Sequence, residues 1–172
     1  VGDYTLPINQ SVCVDSKFSI QELVSDICGK QHERFRNECI RAQEAGISLI
    51  ILTENVGGKV GRGEIYNPTI TKLEELHRWK NPRLFIFERG RQKYPNATRG
   101  ITLQKACITM KAKYGVEFLF TTPMKSAEMI VSIILSILYS VFPCVSFCFQ
   151  EYYITKRLSF QVLDEKEGAS LP

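Results

Sequence analysis

VGDYTLPINQSVCVDSK, residues 1–17, reads as two short strands joined by a turn. Val12, Val14 and Ser16 alternate with Cys13, Asp15 and Lys17. A strand sends alternate side chains to opposite faces, so Asp15 and Lys17 share one face, expected to be chemically equipped, and the valines line the other, expected to be apolar. Tyr4 to Ile8 is also β-prone, and Pro7, Asn9, Gln10 and Ser11 supply turn chemistry that folds it back on the second strand. Such a hairpin brings Asp3 beside Asp15. Two carboxylates and a lysine drawn together raise one another's cost of desolvation unless something compensates. Oxygen ligands with open positions suit Mg²⁺, which binds through one or two carboxylates together with waters and substrate phosphate. An acid two residues before a lysine is, by itself, common on any solvated strand.

The rest of the chain alternates strands and helices, which argues for an α/β fold. Ile20, Leu23, Val24 and Ile27 are at helical spacing and Gly29 stops them. A second helix is expected from about Gln31 to Ala45, with Phe35, Cys39 and Ile40 inward, and Ile47 to Glu54 as the next strand. Asn55 to Asn67 is glycine-rich and reads as a mobile loop; its Gly-Gly-Lys-Val-Gly-Arg-Gly run lacks the Gly-Lys-Ser/Thr ending of a phosphate loop. Ile70 to Trp79 is helical by pattern, as is Thr102 to Tyr114 with Leu103, Ala106, Cys107 and Met110 on one face. Arg83, Arg89, Arg91, Lys93 and Arg99 are interleaved with Phe85, Phe87 and Tyr94, a mixture that can grip phosphates and stack on unpaired bases.

Gly2-Asp3-Tyr4, a β-rich link, an apolar strand ending in Asp15-Ser16-Lys17 and a helix opening with Phe18 to Val24 resemble the XPF-type structure-specific endonuclease domain. Its signature is Gly-Asp, a variable gap, Glu-Arg-Lys, three residues and Asp. The resemblance continues through Gly29 to Phe35, Leu49 to Glu54 and Tyr114 to Pro123, about the first four fifths of the chain, and small stand-alone phage and bacterial members look closest. The departures are Asp15 in place of Glu, Ser16 in place of Arg, and Gln21 in place of the last Asp, with Glu22 adjacent. The family's first strand, which carries its own acid, has no counterpart ahead of Val1, so the domain is expected to be N-terminally incomplete.

The resemblance implies a restriction-endonuclease-like core, a central mixed sheet flanked by helices, over residues 1–138, with a basic insertion around 55–100 and an unassigned tail at 139–172. It implies a metal-dependent endonuclease that hydrolyses branched or flap DNA in repair or recombination, located in the cytoplasm with the DNA. Asp3 and Asp15 would hold Mg²⁺ or Mn²⁺, assisted by the Ser16 carbonyl. Lys17 would orient the attacking water or stabilise developing charge, and Glu22 would be a supporting acid. Lys30 and Arg34, four apart on a helix, and Arg89 and Arg91 are the expected DNA contacts. Glu54 reads as a structural acid at a strand end. Family members often work as homodimers.

The chain has 172 residues and a net charge of +4, enough for one domain with a sizeable core and compatible with phosphate binding. No secretory signal pattern opens the sequence. None of the six cysteines forms a Cys-x-x-Cys pair and the two histidines lie far from Cys144 and Cys148, which argues for buried reduced thiols over a zinc site. Met129 to Phe149 carries no charge, and roughly 20 apolar residues suffice to cross a bilayer. Against a membrane span, Thr122-Pro123 caps a helix, Ala127, Ile130, Val131 and Ile134 form a core-facing stripe, and Pro143 interrupts the apolar run. Ser126 to Leu138 is therefore expected to be the last core helix. Two rivals to the nuclease are a catalytically impaired DNA- or protein-binding module of the same fold, and a membrane-associated protein anchored through 129–149.

Overall fold

The computed structural model describes residues 1–61, 63 and 65–141, with side chains described to residue 138. Two strands, β1 (Tyr4–Leu6) and β2 (Asn9–Lys17), open the chain and are followed by helices α1 (Ile20–Cys28) and α2 (His32–Glu44) and strand β3 (Ser48–Glu54). Two small hairpins come next, β4 (Gly58–Val60) with β5 (Ile65–Asn67) and β6 (Phe87–Glu88) with β7 (Arg91–Gln92). Between the hairpins lie two 3-10 helices, Leu73–Arg78 and Pro82–Phe85. Helix α3 (Gly100–Tyr114), strand β8 (Glu117–Thr121) and helix α4 (Pro123–Val141) complete the order. One compact unit runs from Val1 to Ile134; of the second, which starts at Leu135, only the helical residues to Val141 are described.

The main sheet has four strands in the order β1-β2-β3-β8. β1 is antiparallel to β2, whereas β2, β3 and β8 run parallel. The expected hairpin therefore forms, its turn confined to Pro7 and Ile8. The molecule is α/β with a mixed sheet flanked by helices. Cys13, Leu49, Ile51, Phe118 and Phe120 project from one face into a core completed by Ile20, Leu23 and Ile27 of α1, Phe35 and Cys39 of α2, and Leu103 and Cys107 of α3.

Cys13, Asp15 and Lys17 lie on the inward, helix-covered face of β2, so the equipped face is buried, and Val14 on the opposite face is covered as well. α1 starts where it does because Ser19 caps it: its Oγ accepts from the Glu22 N–H at 3.2 Å, and the Glu22 carboxylate reaches back to accept from the Phe18 N–H at 2.9 Å, an arrangement close to a capping box.

Other departures have readable causes. Ile70, Leu73, Leu76 and Trp79 are spaced by three, which matches the three residues per turn of a 3-10 helix better than the 3.6 of an α-helix, and the segment forms a 3-10 helix at its centre. The glycine-rich 55–67 segment is expected to be a loop but pairs as the β4–β5 hairpin, Lys59 opposite Tyr66. Lys30 is not on α2, which begins at His32 after the Gly29-Lys30-Gln31 connection, so it does not share a helix face with Arg34. In α4, Ala127 and Val131 are exposed while Ser126, Ile130, Ile133 and Ile134 are covered to different degrees. The covered face thus runs through positions 126, 130, 133 and 134, one step round the helix from the expected stripe. Cys13, Cys39 and Cys107 are buried free thiols, but Cys28 is exposed; Cys144 and Cys148 lie outside the described residues. No helix among the described residues is long and apolar enough to cross a membrane, and the 142–149 stretch that would extend such a span lies outside them.

Candidate active site

Strand pairing builds the site from its first residues. The Asp3 N–H donates to the Val14 carbonyl at 2.8 Å, and Tyr4 pairs with Val14, which sets Asp3 at the level of Asp15. Gly2 makes this approach feasible: its φ is +67°, and a Cβ there would stand 2.7 Å from Cys13 Sγ and 3.0 Å from the Val14 carbonyl oxygen. Asp3 Oδ2 accepts from both the Ser16 N–H and the Ser16 hydroxyl at 2.9 Å. The Gly2 N–H donates to Glu38 Oε1 of α2 at 3.0 Å, tying the start of the hairpin to the helical layer.

Lys17 is buried between two acids. Its ammonium lies 2.7 Å from Asp15 Oδ2 and 3.0 Å from Asp26 Oδ2, and 5.9 Å from the centre of the Phe35 ring. Both carboxylate oxygens are fully covered, and they lie at ion-pair distance from the ammonium without well-formed hydrogen-bond geometry. Opposite Lys17 on β3, Thr53 is fully buried with its hydroxyl unpartnered.

Two carboxylates about one ammonium leave excess negative charge in a poorly solvated place, and Asp15 registers it. Burial pushes its carboxyl up to about 6 against the opposing pull of Lys17, and the nearby charges of Asp3 and Glu38 push it further. Burial works to lower the Lys17 ammonium, but its contacts with Asp15 and then Asp26 outweigh burial and hold it above the ordinary lysine value. Cys39, beside this group, is pushed up to about 12 by burial and then by Glu38, which makes its thiol inert.

Asp3, Asp15, Ser16 and Lys17 therefore come together as expected. Glu22 caps α1 through the Phe18 N–H, a local task that occupies one of its oxygens. Lys30 and Arg34 are exposed, and Arg89 and Arg91 are exposed on the β6–β7 hairpin, with Arg89 in the left-handed turn conformation at φ +49° ahead of Gly90. Sequence reading missed Asp26 and Glu38. Asp26 had a signal, since it falls on the apolar face of α1 between Leu23 and Ile27, where a charge needs a partner. Glu38 had none, because its bond to Gly2 spans 36 positions.

Comparisons with protein-family models, curated proteins and solved structures find no match for this chain.

For a metal, the donor set offers Asp3, whose Oδ1 takes part in no hydrogen bond among the described residues, and Asp15, whose raised carboxyl marks a place where added positive charge is favoured. No group of three or more His, Cys, Asp or Glu side chains among the described residues is arranged to hold an ion by itself. The residues thus fit a cation that keeps most of its waters, as Mg²⁺ does, and do not fit one that demands a full protein cage.

Proposed function

We propose that this chain is a Mg²⁺- or Mn²⁺-dependent DNA endonuclease with a restriction-endonuclease-like core, acting on branched or flapped DNA. The observation that carries this reading is the β1–β2 pairing, which sets the Gly-Asp pair against the acid-x-Lys strand end and gathers Asp3, Asp15 and Lys17. That is the order and spacing of the XPF-type signature. A divalent ion held by Asp3 and Asp15 supplies polarisation of the scissile phosphate and ionisation of a water. Ser16 orients Asp3 through two hydrogen bonds, and Lys17 keeps Asp15 ionised and fixed while stabilising negative charge that develops on the phosphate. The exposed Lys30, Arg34, Arg89 and Arg91 contact the DNA backbone. In this reading the protein works with DNA in the cytoplasm or nucleoid.

A second reading draws on the same geometry. Lys17 is held by Asp26 as well as by Asp15, and Asp3 by Ser16, so the ammonium is committed to contacts within the chain. That favours a module that keeps the fold and binds DNA or protein without cutting. Labelled flap, fork and duplex DNA incubated with the chain in Mg²⁺ or Mn²⁺ separates the two. The nuclease reading expects metal-dependent cutting, lost in Asp15→Asn while DNA binding persists. Binding of the flap substrate without cutting in either metal, by a folded protein, selects the binding module.

A further inference from the structure

Beyond the carboxyl ends of the three parallel strands the chain forms a cleft of about 260 Å³. Phe18, directly after Lys17, stands at the end of β2; Glu54 closes β3; Pro123 follows β8. Trp79 and Pro82 also line it. The carboxyl edge of a parallel sheet is where open α/β folds receive ligands.

The lining specifies the ligand's chemistry. Phe18 is 79% exposed, an aromatic face beside the candidate active strand that no packing need explains. The exposed flat ring of Phe18 suits a planar ring, and the largely buried Trp79 also lines the cleft. Two of the polar groups at the cleft are acceptors: Gln21 Oε1 is buried without a hydrogen-bond partner, and the Glu54 carboxylate joins no ion pair among the described residues. Acceptors left unpaired in a covered place are costly, so the fitting ring is one that presents N–H donors. Lys59, exposed and also lining the cleft, adds a cation for a phosphate.

We infer that this cleft takes a single unpaired base bearing an exocyclic amino group, cytosine, adenine or guanine as against thymine, from the strand whose phosphate lies at Asp15 and Lys17. The base stacks on Phe18 and its amino group donates to Glu54 and Gln21. Thymine has no amino group and offers only its N3–H, flanked by two carbonyl oxygens that face the same acceptors. The inference rests on the nuclease reading for the identity of the strand, and it makes an unpaired nucleotide next to the scissile phosphate the feature by which branched DNA is told from duplex.

Trp79 is the sole tryptophan of the chain, so its emission reports on this cleft alone. Short single-stranded oligonucleotides, all-dT or with one central dC or dA, are titrated without divalent metal so that no cutting occurs. The expected result is saturable quenching by the dC and dA strands and roughly tenfold weaker binding of all-dT. Phe18→Ala weakens the dC strand roughly tenfold while Phe18→Tyr keeps it, and Glu54→Ala removes the preference over thymine. Equal binding of all-dT and dC strands, or wild-type binding by Phe18→Ala, overturns the inference. Base-selective quenching in a chain that never cuts DNA upholds the cleft and removes the nuclease. A chain that cuts flap DNA while Phe18→Ala binds as wild type keeps the nuclease and removes the cleft.

Discussion

Asp15 carries a carboxyl raised to about 6 in the folded chain, from the ordinary value of 3.8 that it regains on unfolding. Below about pH 4 both states are protonated and the residue favours the fold fully. As pH rises towards 6 the unfolded chain ionises first, so the native state holds the extra proton and loses stability with each step. The loss is complete above the folded value and amounts to about 3 kcal/mol at about 1.4 kcal/mol per unit. Chemical denaturation of the metal-free protein between pH 4 and 7 should show this fall in the difference between wild type and Asp15→Asn, since the amide does not titrate. Parallel curves for the two proteins would mean that Asp15 is not the group so strained. At this scale the sequence showed Asp3, Asp15 and Lys17 because strand alternation and one turn place them. It did not show that the face of Asp15 and Lys17 is inward, because Val12 and Val14 on the other face are the more apolar of the two sets, and burial here is decided by helices packed from elsewhere in the chain.

Helix α3 begins on a residue without a side chain for a packing reason. Gly100 is buried at its first position, and a Cβ there would run into the carbonyl oxygens of Leu76 and Trp79 at the end of the first 3-10 helix. The two elements are held together also by Gln104, whose side-chain amide donates to the Leu73 and Glu74 carbonyls at 3.0 and 2.7 Å. Gly100→Ala gains helix propensity of about 1 kcal/mol and still should destabilise the protein by roughly 1–3 kcal/mol, because backbone is what it strikes. Urea denaturation measures this; an unchanged or raised midpoint would show that the 3-10 helix moves aside freely. Helices α1, α2 and α3 and strands β2 and β3 were legible because each has an apolar pattern of its own, and Gly29 marks the end of α1. The two hairpins were not. β4–β5 and β6–β7 are strands of two or three residues, too short for a period to be seen.

For the whole molecule, the nuclease reading makes metal binding and folding one equilibrium. An ion held by Asp3 and Asp15 requires the β1–β2 pairing that only the folded chain has, so it stabilises the fold by an amount set by its concentration over its dissociation constant, about 2.7 kcal/mol at a hundredfold excess. For a domain of this size that corresponds to a rise in melting temperature of roughly 5–10 °C. The buried cluster Asp15, Lys17 and Asp26 offers no such response by itself, since its charges are paired internally and would be only weakly screened by salt. Thermal melts in MgCl₂ and in NaCl of matched ionic strength therefore separate the two roles. The nuclease reading expects a saturable rise in Mg²⁺ that is absent in NaCl and absent in Asp3→Asn, whose exposed carboxylate can be neutralised with little effect on the buried core. Equal curves in the two salts would leave the cluster as a structural feature of the strand end, and DNA recognition would then have to be carried by exposed groups such as Arg34, Arg89 and Arg91 without a metal at Asp15.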